Sequence, residues 1–86
     1  MTDALTIEGT VTGLRSAVLV ANGDDVVSVA SSGGFFMPKK VGPVTSYDVV
    51  VDTQPAEPRQ VCTVAHGRGV TSDQDVTDIS ITCVDQ

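Results

Sequence analysis

The sequence predicts an all-β fold, an antiparallel β-sandwich of about seven strands. Three observations carry this. The 86 residues include 16 valines and ten threonines against three leucines and three isoleucines, and β-branched side chains suit a pleated sheet while losing rotamer freedom in a helix. Short apolar runs are broken at close intervals by Gly, Asn, Asp and Pro, which is the pattern of strands and turns. No segment sustains an apolar period of 3.6, so no helix competes for these residues. The length fits one β-sandwich domain over residues 1–86, with its core spanning 5–84.

The elements follow in order. Thr6 to Thr12 alternates, with Ile7, Gly9 and Val11 on one face and Glu8, Thr10 and Thr12 on the other, until Gly13 breaks it. Ala17 to Ala21 is an apolar run ended by Asn22-Gly23-Asp24-Asp25. Asn-Gly supplies the positive φ angles of a hairpin turn, so Val26 to Ala30 should pair back on that run. Ser31 to Gly34 is a turn, and Gly34 to Met37 a strand stopped by Pro38. Lys39 to Thr45 is a loop containing Gly42-Pro43. Ser46 to Thr53 alternates most cleanly, with Tyr47, Val49 and Val51 pointing one way and Ser46, Asp48, Val50 and Asp52 the other. Gln54 to Pro58 is a loop, Arg59 to Ala65 a strand with Cys62 and Val64 in phase, and His66-Gly67-Arg68-Gly69 a turn. Val76 to Val84 is the last strand, with Ile79, Ile81 and Cys83 in phase. The expected core is Ile7, Val11, Leu14, Leu19, Val27, Val29, Phe35, Met37, Tyr47, Val49, Val51, Cys62, Val64, Ile79, Ile81 and Cys83.

Charge and cysteine usage narrow the class of partner. The formal net charge is −6, which argues against nucleic acid, because phosphate neutralisation needs clustered Lys and Arg. No apolar run approaches the ~20 residues that a membrane helix needs. Met1 to Leu5 lacks the basic start and apolar stretch of a signal peptide, so a secreted placement implies a longer precursor, or export without a leader, as within a virus particle. Cys62 and Cys83 do not form CxxC, and the single His66 cannot complete a four-coordinate zinc site. Two readings stand for the cysteines. Bridged, they close a loop of about 20 residues worth roughly 3 kcal/mol in the chain-entropy account and point to an oxidising compartment; otherwise they are two buried thiols. Their positions in strand-like alternation favour the bridge.

Catalytic patterns are weak. Ser72, His66 and Asp73 have the residue types of a hydrolase triad, but no Gly-x-Ser-x-Gly elbow accompanies them, and His66 in a Gly-flanked turn reads as a solvated side chain. Cys62 as a nucleophile would need a lowered pKa and access, which a strand-face cysteine with a partner does not suggest. Asp48 and Asp52 flank Val50 on an outer strand face, where charge keeps a sheet soluble. Gly67-x-Gly69 is no phosphate loop, since no Lys-Ser/Thr follows. No cofactor is indicated. Calcium is the one metal worth weighing: Asp73, Asp75 and Asp78 form an acidic group, as do Asp24 and Asp25, and Ca²⁺ takes six to eight oxygen ligands. Solvated turn aspartates are the default for both. Phe36 is out of phase with Phe35 and Met37, and Lys39 and Lys40 lie just beyond it. An exposed aromatic beside cations is a candidate binding surface for a protein or a sugar ring.

A family resemblance rests on Ile7-x-Gly9-x-Val11-x-Gly13-Leu14, Gly34-Phe35-x-Met37, Ser46-Tyr47-x-Val49-x-Val51-x-Thr53-Gln54-Pro55, Cys62-Thr63-Val64, Gly67-x-Gly69 and Asp75-Val76-Thr77-x-Ile79-x-Ile81-Thr82-Cys83. In that order they resemble a Cys-pair repeat domain of bacterial secreted and surface proteins, similar to the immunoglobulin-like, transthyretin-like (prealbumin-like) and carboxypeptidase-regulatory-like sandwiches. The resemblance covers Leu5 to Cys83 and is more specific in its second half. It implies Cys62 bonded to Cys83, a sandwich of about seven strands, and no catalytic residues. The expectation is a non-enzymatic spacer or presentation module of an extracellular or cell-surface assembly, partnered by neighbouring domains. The alternative is a carbohydrate- or protein-binding module on a bacterial surface or a virus particle.

Overall fold

The alternating runs assemble into two four-stranded sheets packed face to face. The computed structural model describes residues 5–57 and 59–86. Pro58, the last residue of the expected 54–58 loop, and residues 1–4, read as lacking a leader, lie outside the described residues. The strands are β1 (Ile7–Thr12), β2 (Val18–Asn22), β3 (Asp25–Val29), β4 (Gly33–Phe36), β5 (Ser46–Thr53), β6 (Gln60–Ala65), β7 (Arg68–Val70) and β8 (Val76–Asp85). One sheet runs β4-β1-β8-β6 and the other β3-β2-β5-β7. Between them Ile7, Val11, Val18, Val20, Val49, Ile79 and Ile81 are buried, with Phe35, Met37, Cys62 and Cys83. Removing this apolar surface from water is the main drive for the sheets to stack.

The first sheet is mixed, which corrects the antiparallel expectation. β1 pairs β8 in parallel from Ile7↔Val76 to Thr12↔Thr82, while the other pairings of both sheets are antiparallel. Side-chain alternation has period 2 in either direction, so a hydrophobic pattern does not encode pairing sense. The parallel contact brings backbones close at Gly9, where a methyl group would collide with the Ile79 carbonyl.

Eight strands are described rather than about seven. The additional one, β7, occupies part of the expected turn at His66–Gly69. It is three residues long and is held by pairing with Ser46–Asp48 of β5, not by propensity. Gly69 lies opposite Tyr47, and a Cβ there would sit 2.7 Å from the phenol oxygen. The tyrosine thus covers a glycine across the ladder, an arrangement that gives a bare strand position a side chain to pack under.

Leu19 is a second correction. Val18 and Val20 are buried, and Leu19 is half-exposed on the outer face. Ala17 to Ala21 is apolar throughout and carries no alternation that could set its phase. The ladders Val20↔Val27 and Val20↔Val51 set it instead, and a one-residue slip exchanges the faces. Val27, Tyr47, Val51 and Val64, expected in the core, are half-buried and pack against its margins. The β2–β3 hairpin forms as expected, with Asn22↔Asp25 closing the loop Gly23-Asp24. Positive φ falls on Gly23 alone (64°), the type II′ pattern.

Val44 is 81 % exposed and held at φ 53°, although a β-branched residue in the left-handed region is strained. Its amide donates to the Thr71 carbonyl (3.0 Å), which pins the loop in that conformation. Val44→Asn keeps the backbone donor and tolerates the angle, so it is expected to stabilise the protein by about 1 kcal/mol. Thermal melting checks this: a raised Tm is the expected result, and an unchanged or lowered one contradicts the strain.

Candidate functional site

Cys62 and Cys83 are direct ladder partners on β6 and β8 and form a disulfide with Cα atoms 4.0 Å apart. Local hydrogen bonding explains why a bridge fits here. The Cys62 amide donates to Gln54 Oε1 (2.7 Å), and its carbonyl accepts from Gln54 Nε2 (3.2 Å). The Cys62 backbone therefore faces away from β8, which makes Cys62/Cys83 a non-hydrogen-bonded pair, the position where antiparallel Cα atoms approach most closely. The Gln54 amide in turn stands in for a neighbouring peptide group and occupies the outer edge of β6, where an unpaired strand invites association.

A polar network surrounds the end of β8. Gln60 is 1 % exposed. Its Oε1 accepts from the Arg15 amide (2.8 Å), and its Nε2 donates to the Gly13 carbonyl (2.8 Å) and Asp85 Oδ1 (3.1 Å). Arg15 also pairs with Asp85 Oδ2 at 2.6 Å. One buried amide thus ties the β1–β2 corner, the start of β6 and the end of β8. Thr71 plays a similar part at the far end, with Oγ1 donating to the Gly42 carbonyl (2.7 Å) and accepting from the Thr45 amide (2.8 Å). Neither residue belongs to a motif that marks it in the sequence. Gln60 is detectable in principle, because it shares the inward phase of Cys62 and Val64, and a polar residue in a core phase must find partners there.

The expected binding residues separate in space. Phe36 is 62 % exposed on the outer face of β4. It borders an open groove of about 470 Å³ between the β3 and β4 edges, floored by Val27, Val29 and Phe35. Lys39 and Lys40 line a different cleft, with Asp24 and Asp25. The Lys39 amide donates to Asp25 Oδ2 (2.9 Å), and Lys40 Nζ donates to Thr6 Oγ1 (2.8 Å). The acidic residues Asp73, Asp75 and Asp78 do not converge: among the described residues no group of three His, Cys, Asp or Glu side chains is placed to hold a metal ion. Asp75 Oδ1 instead accepts from the Thr6 amide at 2.9 Å.

A second groove, of about 500 Å³, lies on the opposite side, between β5 and β6. Val49, Val51, Cys62 and Val64 line it, and His66, Arg68 and Asp48 stand around it. His66 is exposed on the β6–β7 turn at φ 60°. Arg68 and Asp48 approach only to 4.0 Å with both side chains largely exposed, a geometry worth little. Each groove is an apolar floor beside a strand edge. Among the described residues no helix is long and apolar enough to cross a membrane. No protein-family model, curated protein or solved structure matches the chain.

Proposed function

We propose that this protein is a tension-resisting spacer module of an extracellular assembly, built on an immunoglobulin-like or prealbumin-like sandwich. The observation that carries the reading is the parallel β1–β8 pair. β1 begins beside the start of β8, and the ten residues of β8 run on past the end of β1. Chain entering at β1 and chain leaving β8 therefore do so at opposite ends of a body measuring 43 × 19 × 17 Å. Tension between those ends loads the β1–β8 ladder in shear, so its hydrogen bonds must yield together rather than one at a time. At the exit, Cys83 passes the load covalently to β6, and Gln60 and Arg15 hold Asp85 to the β1–β2 corner. The disulfide fits an oxidising compartment, and the net charge of −6 discourages non-specific aggregation.

Single-molecule pulling tests this. End-to-end tension should require at least twice the rupture force measured when handles sit near Thr6 and Asp75, where the same ladder peels bond by bond. Equal forces in the two geometries would sink the reading. Reduction should lengthen the released chain by the 21 residues of the Cys62–Cys83 separation, about 7 nm at ~3.4 Å per residue.

A further inference from the structure

The two sheets have four outer strands, and they are not equally protected. The β6 edge is occupied by the Gln54 amide at Cys62, and the Gln60 amide donates to the Pro55 carbonyl (3.3 Å). β7 is three residues long and carries Arg68. β3 opens with Asp25 directly after Asp24. β4 reads Gly33-Gly34-Phe35-Phe36, with no charge, no proline and no covering side chain among the described residues. Such an edge is the kind that pairs with another strand.

The direction of its free groups follows from one bond. The Met37 amide donates to the Ile7 carbonyl (2.8 Å), so by alternation Phe35 and Gly33 also face β1, while the N–H and C=O of Gly34 and Phe36 point outward. Pro38, next in that outward series, has no N–H and ends the free edge.

Gly34 carries the second observation. Its own fold does not demand a glycine: it lacks a positive φ, and the only atom near an added methyl group would be the Gly9 carbonyl oxygen at 3.9 Å, ordinary contact. Gly67 and Gly69, by contrast, would meet neighbours at 2.6 and 2.7 Å. Yet Gly34 sits two residues from the exposed ring of Phe36, and on the same face.

We propose that β4 pairs with β4 of a second copy, antiparallel about a two-fold axis through Phe35, joining the two β4-β1-β8-β6 sheets into one. Gly34 then lies opposite Phe36 of the second copy, and Phe36 opposite its Gly34. Both are outward-facing pairs and exchange four backbone hydrogen bonds. Each Phe36 ring covers the partner glycine, the relation that Tyr47 and Gly69 already show inside this molecule. The edge is its own complement, as an isologous contact requires. It brings no like charges together: in this register Lys39 and Lys40 fall opposite Ser31 and Ala30 of the partner, both uncharged. Because the strands are antiparallel, the two modules run in opposed directions. This contact is independent of the spacer reading.

With only β4 and its flanks engaged, the association belongs to the weak, small-interface class. Sedimentation and NMR of the intact, oxidised chain should show dimer growing between about 10 µM and 1 mM protein. In a mixed sample of labelled and unlabelled chains, isotope-filtered NOEs should connect Gly34 Hα to the Phe36 ring of the other copy. Phe36→Lys should weaken the dimer at least tenfold, and so should Gly34→Pro, which removes two of the four bonds without touching the β1 ladder. Thr63→Lys, on the far side of the same sheet, should leave it unchanged. A monomer throughout this range overturns the proposal. So does a dimer that survives both β4 variants, or one without the Gly34–Phe36 NOE. The NOE is read on the unaltered chain, so a variant that fails to fold leaves the test standing.

Discussion

Replacing Gln60 by Glu is expected to destabilise the protein by about 3–5 kcal/mol at neutral pH, the range for a buried charge left without a partner. The two side chains have the same shape, so packing is not at issue. One carboxylate oxygen can still accept from the Arg15 amide, as Oε1 now does at 2.8 Å. The other replaces an N–H that donates to the Gly13 carbonyl and Asp85 Oδ1, and puts lone pairs against both at a site 1 % exposed. The sign of the pH dependence follows. Burial and the facing acceptors raise the folded-state pKa of the introduced carboxyl above its unfolded value. The variant therefore approaches the parent as pH falls below ~4.3, where the carboxyl becomes protonated in both states, and loses ground as pH rises through the folded pKa. Gln60→Leu leaves the same backbone groups unpaired and should show no such recovery. Denaturant unfolding at neutral and acidic pH measures both. A loss below about 1 kcal/mol for Gln60→Glu, no larger than one neutral hydrogen bond, or a loss independent of pH, would show that the amide is not the tie described.

Removing the disulfide is the other large effect. Reduction, or the Cys62→Ala/Cys83→Ala pair, opens a loop of sequence separation 21, and the chain-entropy account gives about 3 kcal/mol for a loop of that size. For a chain this short each kcal/mol moves Tm by roughly 4–8 °C, so the melting point should fall by more than ~10 °C. The loss should fall at the β6–β8 side, since β6 is held to its sheet by β8 alone. Amide exchange read strand by strand should quicken first in β6. Melting points within a few degrees in the two redox states would mean that the β6–β8 ladder is self-sufficient and the bridge adds little.

Much of the β architecture is legible in the residues. The alternation at Ser46–Thr53 and the in-phase Ile79, Ile81 and Cys83 predict strands and faces that the structure keeps. Gly23 makes the hairpin readable, because few other residues accept its φ. The uniformly apolar run at Ala17–Ala21 carries no phase, and Leu19, expected inward, faces out for that reason. β7 is unreadable because the glycines and the arginine around it speak for a turn, and only the β5 ladder makes it a strand. Of the surface residues, the exposure of Phe36 follows from its phase, but its separation from Lys39 and Lys40 does not. Their clefts depend on where the loop after Pro38 is tied, through Asp25 and Thr6.

Short-range patterning is enough to say that this chain makes sheets, where most of them turn, and which side chains have reason to be buried, because those properties depend on neighbours within a few residues. The parallel pairing of β1 with β8, the shielding of one edge by Gln54 while β4 stands open, and the joining of three distant segments by Gln60 emerge only in the folded molecule. Strand direction and edge exposure depend on which backbone groups meet across separations of up to about seventy residues, as the Val76 amide meets the Thr6 carbonyl, and side-chain periodicity is the same whichever neighbour those groups find.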